Sequence, residues 1–334
     1  MKEIIISRTD RIGDVILTTA TFAPLRQRFP NAHIRVLAQP EIAPLLNGQK
    51  HVEPVACASG KGAKRMKSDR IRQWKRYFSD NPADCIVFLH PDNDLQIAAA
   101  LAHIPRRIGY RKQMGGLALN ETIPYRRHLG LKHEAACNFD LLTKIGCPEP
   151  KRIEPHLVAH ESSPIIGEFA VFHTAAFGNK PRWPTKHFAA LAEEIIEEFG
   201  WKIVLIGAEP EVETVEAFHE KGISASSWED RCGKDNLEAT AAILRNAQVV
   251  VSRDSGPAHL ASALGTPLVC LMGQCDPIHS PRRWAPIGDR VETIISDLSA
   301  LKGESREARW QRCFEAIHPD RVMAGIKSVY RQQS

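Results

Sequence analysis

Two short segments bring together residue types suited to an anionic, activated substrate. The first is Ser7-Arg8-Thr9-Asp10-Arg11-Ile12-Gly13-Asp14, where a strand-like apolar run gives way to helical periodicity. Gly13 permits close approach or an unusual backbone angle, and Asp14 falls at the predicted helix start. Asp14 therefore has two readings, a helix cap or a carboxylate that takes a proton. A single glycine is no dinucleotide fingerprint, and G-x-G-x-x-G is absent here.

The second segment is Ser252-Arg253-Asp254-Ser255-Gly256-Pro257-Ala258-His259, after a buried-looking strand at 249–251. Pro257 suits the first helical position, the helix continues through Leu260, Ala263 and Leu264, and Gly265 ends it. Free backbone donors at that helix start, with Ser255 and His259 beside them, offer a site for a diphosphate. A capped helix without a ligand is the alternative.

Two further clusters carry charge. Asp92-Asn93-Asp94 has the spacing of a divalent-ion motif, but it stands just before a helix-like run at 95–102, so a capping role is expected. The stretch 61–76 holds Lys64, Arg65, Lys67, Arg70, Arg72, Lys75 and Arg76 with Trp74 nearby and Tyr77 following. It reads as a solvated surface or as a dock for an anionic acceptor or membrane face. No recognisable nucleic-acid module surrounds it, so nucleic acid is not an expected partner.

The elements that must position these groups form two series. Apolar runs at 4–7, 34–38, 51–55 and 84–89 read as strands, with a helix over 15–28 that Pro24 is expected to end or kink. A second series runs through 170–173, 202–206, 248–251 and 268–271. After Thr185, residues Phe188, Leu191, Ala192, Ile195, Ile196 and Phe199 share one helical face, with Thr185 as cap and Gly200 as stop. Pro148, Pro150, Pro155 and Pro164 mark a linker, placing the boundary near 155–165. The expected fold is α/β twice over, with domains at 1–160 and 161–334 and the carboxyl-terminal helix a candidate to pack back on the first. Open parallel sheets bind ligands outside the carboxyl ends of their strands, so two facing lobes would line a central cleft with strand-to-helix loops.

Bulk properties agree with a globular chain: 334 residues, 43% hydrophobic, 25% charged. A net charge of +5 suits phosphates or an acidic lipid surface without demanding nucleic acid. The start MKEIIISRTDRIGD enters a strand directly, without the apolar stretch of a signal peptide or membrane span, so a cytoplasmic location is expected. Eight cysteines are scattered, and the closest pair, Cys270 and Cys275, has no second pair at matching spacing, so reduced thiols are expected.

Arg11-Ile12-Gly13-Asp14-Val15-Ile16-Leu17-Thr18-Thr19, followed by Leu25-Arg26-Gln27-Arg28-Phe29-Pro30, resembles the amino-terminal signature of glycosyltransferase family 9, the ADP-heptose:lipopolysaccharide heptosyltransferases. Asp254-Ser255-Gly256-Pro257-Ala258-His259-Leu260-Ala261, Ala263-Leu264-Gly265-Thr266-Pro267, Met272-Gly273 and Asp276-Pro277 are similar to that family's donor-site motif. The resemblance spans nearly the whole chain in order. It implies a GT-B fold, with two Rossmann-like doubly wound domains facing a central cleft. It also implies metal-independent, inverting sugar transfer with no cofactor beyond the ADP-sugar donor.

By the same resemblance Asp14 is the catalytic carboxylate, and Asp254, Ser255, Gly256 and His259 contact the donor diphosphate and sugar. Thr174 supplies a hydroxyl near the phosphates, and Glu211 lies near the nucleoside or simply begins a helix. The family places a lysine just before a Trp-Pro pair; here Asn179-Lys180-Pro181-Arg182-Trp183-Pro184 leaves Lys180 and Arg182 sharing that role. Arg11, Gly13, Lys64 and Arg65 are the acceptor-side candidates. The implied partners are a nucleotide sugar and an anionic glycolipid or glycan, with peripheral contact at the inner membrane. A nucleotide-sugar epimerase of the same fold and a non-catalytic sugar-nucleotide binder are the alternatives.

Overall fold

The computed structural model describes residues 1–58, 67–112, 114–160, 162–174, 181–209, 211–273, 278–296 and 305–331. The chain divides into two compact units, one of Met1–His128 with Glu134–Val158, the other of Leu129–His133 with Ala159–Ser334.

The first unit holds six parallel strands: β1 (Glu3–Ser7), β2 (His33–Ala38), β3 (Glu53–Ala56), β4 (Cys85–Phe88), β5 (Arg106–Arg111) and β6 (Glu121–Pro124). Their order is β3-β2-β1-β4-β5-β6. The central strands β1 and β4 are continuous apolar runs because helices cover both faces of such a sheet. Trp74 and Phe78 of the helix Lys67–Asp80, with Leu95 and Ala98 of the helix Asn93–Leu101, close over Ile5, Leu37, Ile86 and Phe88. β5 and β6 escaped the sequence reading because Arg106, Arg107, Arg111 and Glu121 interrupt their apolar runs. In the fold Arg106 donates to both carboxylate oxygens of Glu121, at 2.6 and 2.8 Å.

The segment 15–28 departs from expectation in an informative way. It forms a helix Ile12–Thr18, a tight turn Thr19–Thr21 and a second helix Phe22–Arg28. The break precedes Pro24, which sits in the first turn of the second helix, where a missing N–H leaves no bond unmade. Threonines make the break instead. Thr18, Thr19 and Thr21 donate their hydroxyls to the carbonyls of Asp14, Ile16 and Thr18 at 2.9, 2.7 and 2.7 Å, competing with the helical ladder.

The second unit repeats the plan with β7 (Phe169–His173), β8 (Lys202–Ile206), β9 (Trp228–Asp230), β10 (Val249–Arg253), β11 (Leu268–Gly273) and β12 (Val291–Ser296), ordered β12-β11-β10-β7-β8-β9. The helix Thr185–Phe199 buries Phe188, Leu191, Ala192 and Ile195 and stops at Gly200, whose φ of 70° only glycine adopts freely. Thr185 is its first residue and makes no cap bond; Pro184 occupies the cap position. The last helix, Pro319–Arg331, packs on β11, β12 and the helix Thr185–Phe199, within the same unit. The seven cysteines within the described residues are buried free thiols, and Cys275 lies outside those residues. Among the described residues no helix is long and apolar enough to cross a membrane.

Numbered from its own first strand, each sheet runs 3-2-1-4-5-6. Each therefore reverses its winding between its first and fourth strands, and the crevice at that reversal is where such sheets take ligands.

Candidate active site

In the first unit the reversal lies between β1 and β4, and the loops that follow these strands carry a buried ionic cluster. Arg8, 1% exposed, is its hub. The guanidinium donates from Nε to Asp10 Oδ1 at 2.8 Å and from NH1 to Asn138 Oδ1 at 2.9 Å. Its NH2 donates to Glu134 Oε1 at 3.1 Å and to Asp14 Oδ1. Arg127 pairs with the same Glu134 and donates to Asn138 Oδ1 at 3.1 Å and to the Tyr110 hydroxyl at 3.0 Å. His90 Nδ1, after β4, stands 3.1 Å from Asp10 Oδ2.

Three carboxylates thus share two guanidinium groups, which leaves one carboxylate poorly compensated. That group is Asp14. Burial, reinforced by the neighbouring charge of Asp10 and only partly offset by Arg8, pushes its pKa up from 3.8 to about 6. Asp10 goes the other way: burial opposes its ionisation, but Arg8 and His90 hold it at about 2. The two carboxylates have been driven apart, one fixed as an anion and one poised to exchange a proton near neutrality.

The cap reading of Asp14 does not survive. The helix Ile12–Thr18 is preceded by Arg11 with no side-chain cap bond, and Asp14 lies inside the first turn with its carboxylate turned to Arg8. Gly13 is the buried second residue of that helix and is not among the glycines of positive φ, so it adopts no unusual angle. Arg11 is exposed at the helix start. Lys64 and Arg65 lie outside the described residues.

Asp92 behaves as the cap it was expected to be. It accepts from the Leu95 amide at 3.3 Å, and Arg70 donates to both its oxygens at 2.8 Å and to Asp94 at 3.2 Å. Arg70 also donates to the Ala58 carbonyl at 3.1 and 2.9 Å, while Thr9 donates to Asp92 at 3.2 Å, so the Asp-x-Asp segment ties neighbouring loops together. Among the described residues no cluster of three or more metal-ligating side chains is present.

In the second unit the reversal lies between β7 and β10. His173 Nδ1, at the end of β7, is 3.2 Å from Ser252 Oγ on β10, which is 2.9 Å from Ser255 Oγ. Burial, with nearby Arg253, lowers the His173 pKa to about 4, so its ring is neutral at pH 7. Ser255 caps the helix Gly256–Ala263 by accepting from the Ala258 amide at 3.3 Å, and Pro257 is the second helical residue where the first was expected. Thr174, buried, directly follows β7. Burial raises the Glu211 pKa, against the nearby Arg182 charge and the Thr174 hydroxyl, so the loops after β7 and β8 meet there. Arg182 pairs with Glu213 at 3.2 Å, and its backbone is pinned at N and O by Gln311, at 2.9 and 3.0 Å. Lys180 lies outside the described residues.

His259 is 3% exposed, with Nε2 3.6 Å from Asp254 Oδ1. A fully exposed ligand contact would be removable without structural cost, but this ring is packed. His259→Ala is therefore expected to lower stability by about 1–3 kcal/mol as well as weakening donor binding. Urea unfolding and nucleotide titration separate the two effects, and unchanged donor affinity would leave the ring a packing residue only.

Sequence reasoning missed Arg8, His90, Arg127, Glu134 and Asn138. Arg8 lies within a segment already singled out, though no role was given to it, but Glu134 and Asn138 lie 126 and 130 residues from it, beyond any spacing rule.

Paired doubly wound units, each gathering its polar groups at the reversal of its sheet, are the architecture of GT-B glycosyltransferases. The chain belongs to glycosyltransferase family 9 (heptosyltransferase), whose family model matches residues 92–313. It is 26% identical to the lipopolysaccharide heptosyltransferase 2 of Escherichia coli K12, over 96% of this chain and 97% of that protein. It is also 26% identical to the lipooligosaccharide heptosyltransferase 2 of Haemophilus ducreyi, over 95% of this chain and 96% of that one. The fold matches the solved structure of E. coli ADP-heptose LPS heptosyltransferase II with a TM-score of 0.79 at 23% identity, covering 100% of this chain and 99% of that one. E. coli heptosyltransferase WaaC with ADP matches at a TM-score of 0.75 and 19% identity, covering 98% and 99%.

Proposed function

We propose that this chain transfers a heptose, or a closely related sugar, from an ADP-sugar to a hydroxyl of a lipopolysaccharide core or similar anionic glycan, inverting the anomeric centre. The observation that carries the reading is the buried Asp14 carboxylate, raised to about 6 beside an Asp10 held at about 2. As a base Asp14 would take the acceptor proton while the hydroxyl oxygen attacks the anomeric carbon and the diphosphate departs with the bonding electrons. Arg11 and Gly13, with Lys64 and Arg65, are assigned to the acceptor.

The second unit is assigned the donor. The helix start at Ser255 and Gly256, with Asp254 and His259, supplies backbone donors and polar groups for a leaving diphosphate. Thr174 and Glu211 stand at adjacent strand ends, and Lys180 or Arg182 would add positive charge. Arg182 is already paired with Glu213, so binding through it requires that exposed pair to open. A nucleotide-sugar donor and a lipid-borne anionic acceptor together fit a cytoplasmic position against the inner membrane.

A thermal-shift screen of ADP-, UDP-, GDP- and dTDP-sugars tests the donor assignment. ADP derivatives are expected to give the largest stabilisation, about 2.7 kcal/mol at a hundredfold excess over Kd. A clear UDP or GDP preference would overturn the donor assignment and leave the family intact.

A further inference from the structure

We propose that the loop after β5, with Met114 and Leu117 at its surface, is a membrane-docking element that seats the first unit on an anionic lipid bilayer. The inference locates the membrane contact that the proposed function calls for, and so rests on that reading.

Large apolar side chains on a water-facing surface normally keep part of their area covered. Met114 is 81% exposed and Leu117 is 88% exposed. They stand in one short helical turn, Met114–Ala118, between β5 and β6. The turn is pinned from beneath. Gly115 donates its amide to Asn93 Oδ1 at 3.0 Å, and a Cβ at that position would come within 2.4 to 2.7 Å of Gln96, Asn93 Oδ1 and the Asn93 backbone. Only glycine fits, so the two apolar side chains are presented from a seated turn with few conformations to lose on insertion.

Their surroundings are basic. Arg111 and Lys112 lie just before the turn in sequence and are exposed, and Arg126 is exposed beyond β6. Arg111 pairs in register with Pro124, which brings the ends of β5 and β6 to one corner of the sheet. Lys112 Nζ lies 3.9 Å from the centre of the Tyr125 ring, itself stacked on exposed His128. The one acidic residue between 111 and 133 is Glu121, and both its oxygens are held by Arg106. Apolar side chains flanked by cations and an aromatic ring match the acyl boundary and headgroups of an anionic leaflet. The same charge opposes a second copy of this face. The corner is also the right one, because strand β5 ends at the carboxyl edge of the sheet, the edge that carries Asp14.

The test is co-sedimentation of the full chain with vesicles of phosphatidylethanolamine and phosphatidylglycerol, against phosphatidylcholine alone. The wild type is expected to bind the anionic vesicles and lose affinity as salt rises. Met114→Ser with Leu117→Ser should weaken binding on the order of tenfold or more, and Arg111→Gln with Lys112→Gln by a similar factor. Lys75→Gln with Arg76→Gln, on the helix Lys67–Asp80, should bind as wild type. Arg111, Lys112, Met114 and Leu117 are exposed, so in these two double variants melting temperatures should not move, and a soluble, delipidated acceptor should be glycosylated at the wild-type rate. Absence of wild-type binding, or full binding by the Met114/Leu117 variant, overturns the proposal. A shift in oligomeric state with vesicle binding retained assigns the face to a second copy. Failure of sugar transfer itself would appear as no turnover of the soluble acceptor by the wild type, whatever the vesicles show.

Discussion

Asp14→Asn is expected to lower kcat by roughly a hundredfold or more, the scale of a lost general base, while donor affinity stays within error. The substitution keeps the size of the side chain and removes its ability to take a proton. It should not destabilise the protein at pH 7. The Asp14 pKa is raised in the fold from 3.8 to about 6, so the protonated form is the one the fold prefers. Stability from this group is full below the unfolded pKa and is lost as pH rises through about 6. Asparagine, which never ionises, escapes that loss, and the melting temperature of the variant should equal or exceed the wild type at pH 7. In the wild type kcat should fall as pH drops below about 6 and Asp14 protonates, and this limb should be absent from the residual rate of the variant. Near-normal turnover in Asp14→Asn would send the search for the base to Asp10, which is held ionised and is the weaker base of the two.

Arg8→Met should be the most destabilising single change at the site, costing about 3–5 kcal/mol in urea unfolding, the scale for stripping one partner from a buried ionic cluster. The loss leaves Asp10, Asp14 and Glu134 crowded with Arg127 as the one remaining guanidinium. Arg8→Lys keeps the charge but cannot reach Asp10, Asp14, Glu134 and Asn138 at once, so it should recover part of the stability and little of the activity. A loss under about 1 kcal/mol for Arg8→Met would show that the cluster contributes geometry without stability.

The contrast between these residues explains what the sequence could disclose. β1, β4, β7, β8, β10 and β11 have centres buried on both faces and so appear as apolar runs, and β2 is legible with them although Arg35 interrupts it. β5 and β12 carry charges within an edge-ward position, and β9 is three residues long, so none leaves a periodic trace. The helix starts at Asp14 and Ser255 were visible as local chemistry, and the family resemblance sharpened their roles. The proton affinity of Asp14 was not visible. A carboxylate in the first turn of a helix is ordinarily held ionised, but burial, reinforced by Asp10 and more weakly by Glu134, reverses that sign. Local rules fail where burial decides, and part of what surrounds Asp14, Glu134 and Asn138 among it, comes from remote residues.

That remoteness also dictates when the first unit can become whole. Arg8 emerges from the ribosome early, and β1 through β6 can pair once residue 124 is out. Yet Glu134 and Asn138, its partners from the helix Glu134–Leu142, are translated 126 and 130 residues after it. Until then the nascent sheet carries a guanidinium with two of its four side-chain acceptors missing, and the centre around it stays open to water. The last helix of the unit acts as a latch: a chain stalled or cleaved before residue 134 should present an assembled but unsealed sheet, the kind of species that quality-control proteases and chaperones recognise.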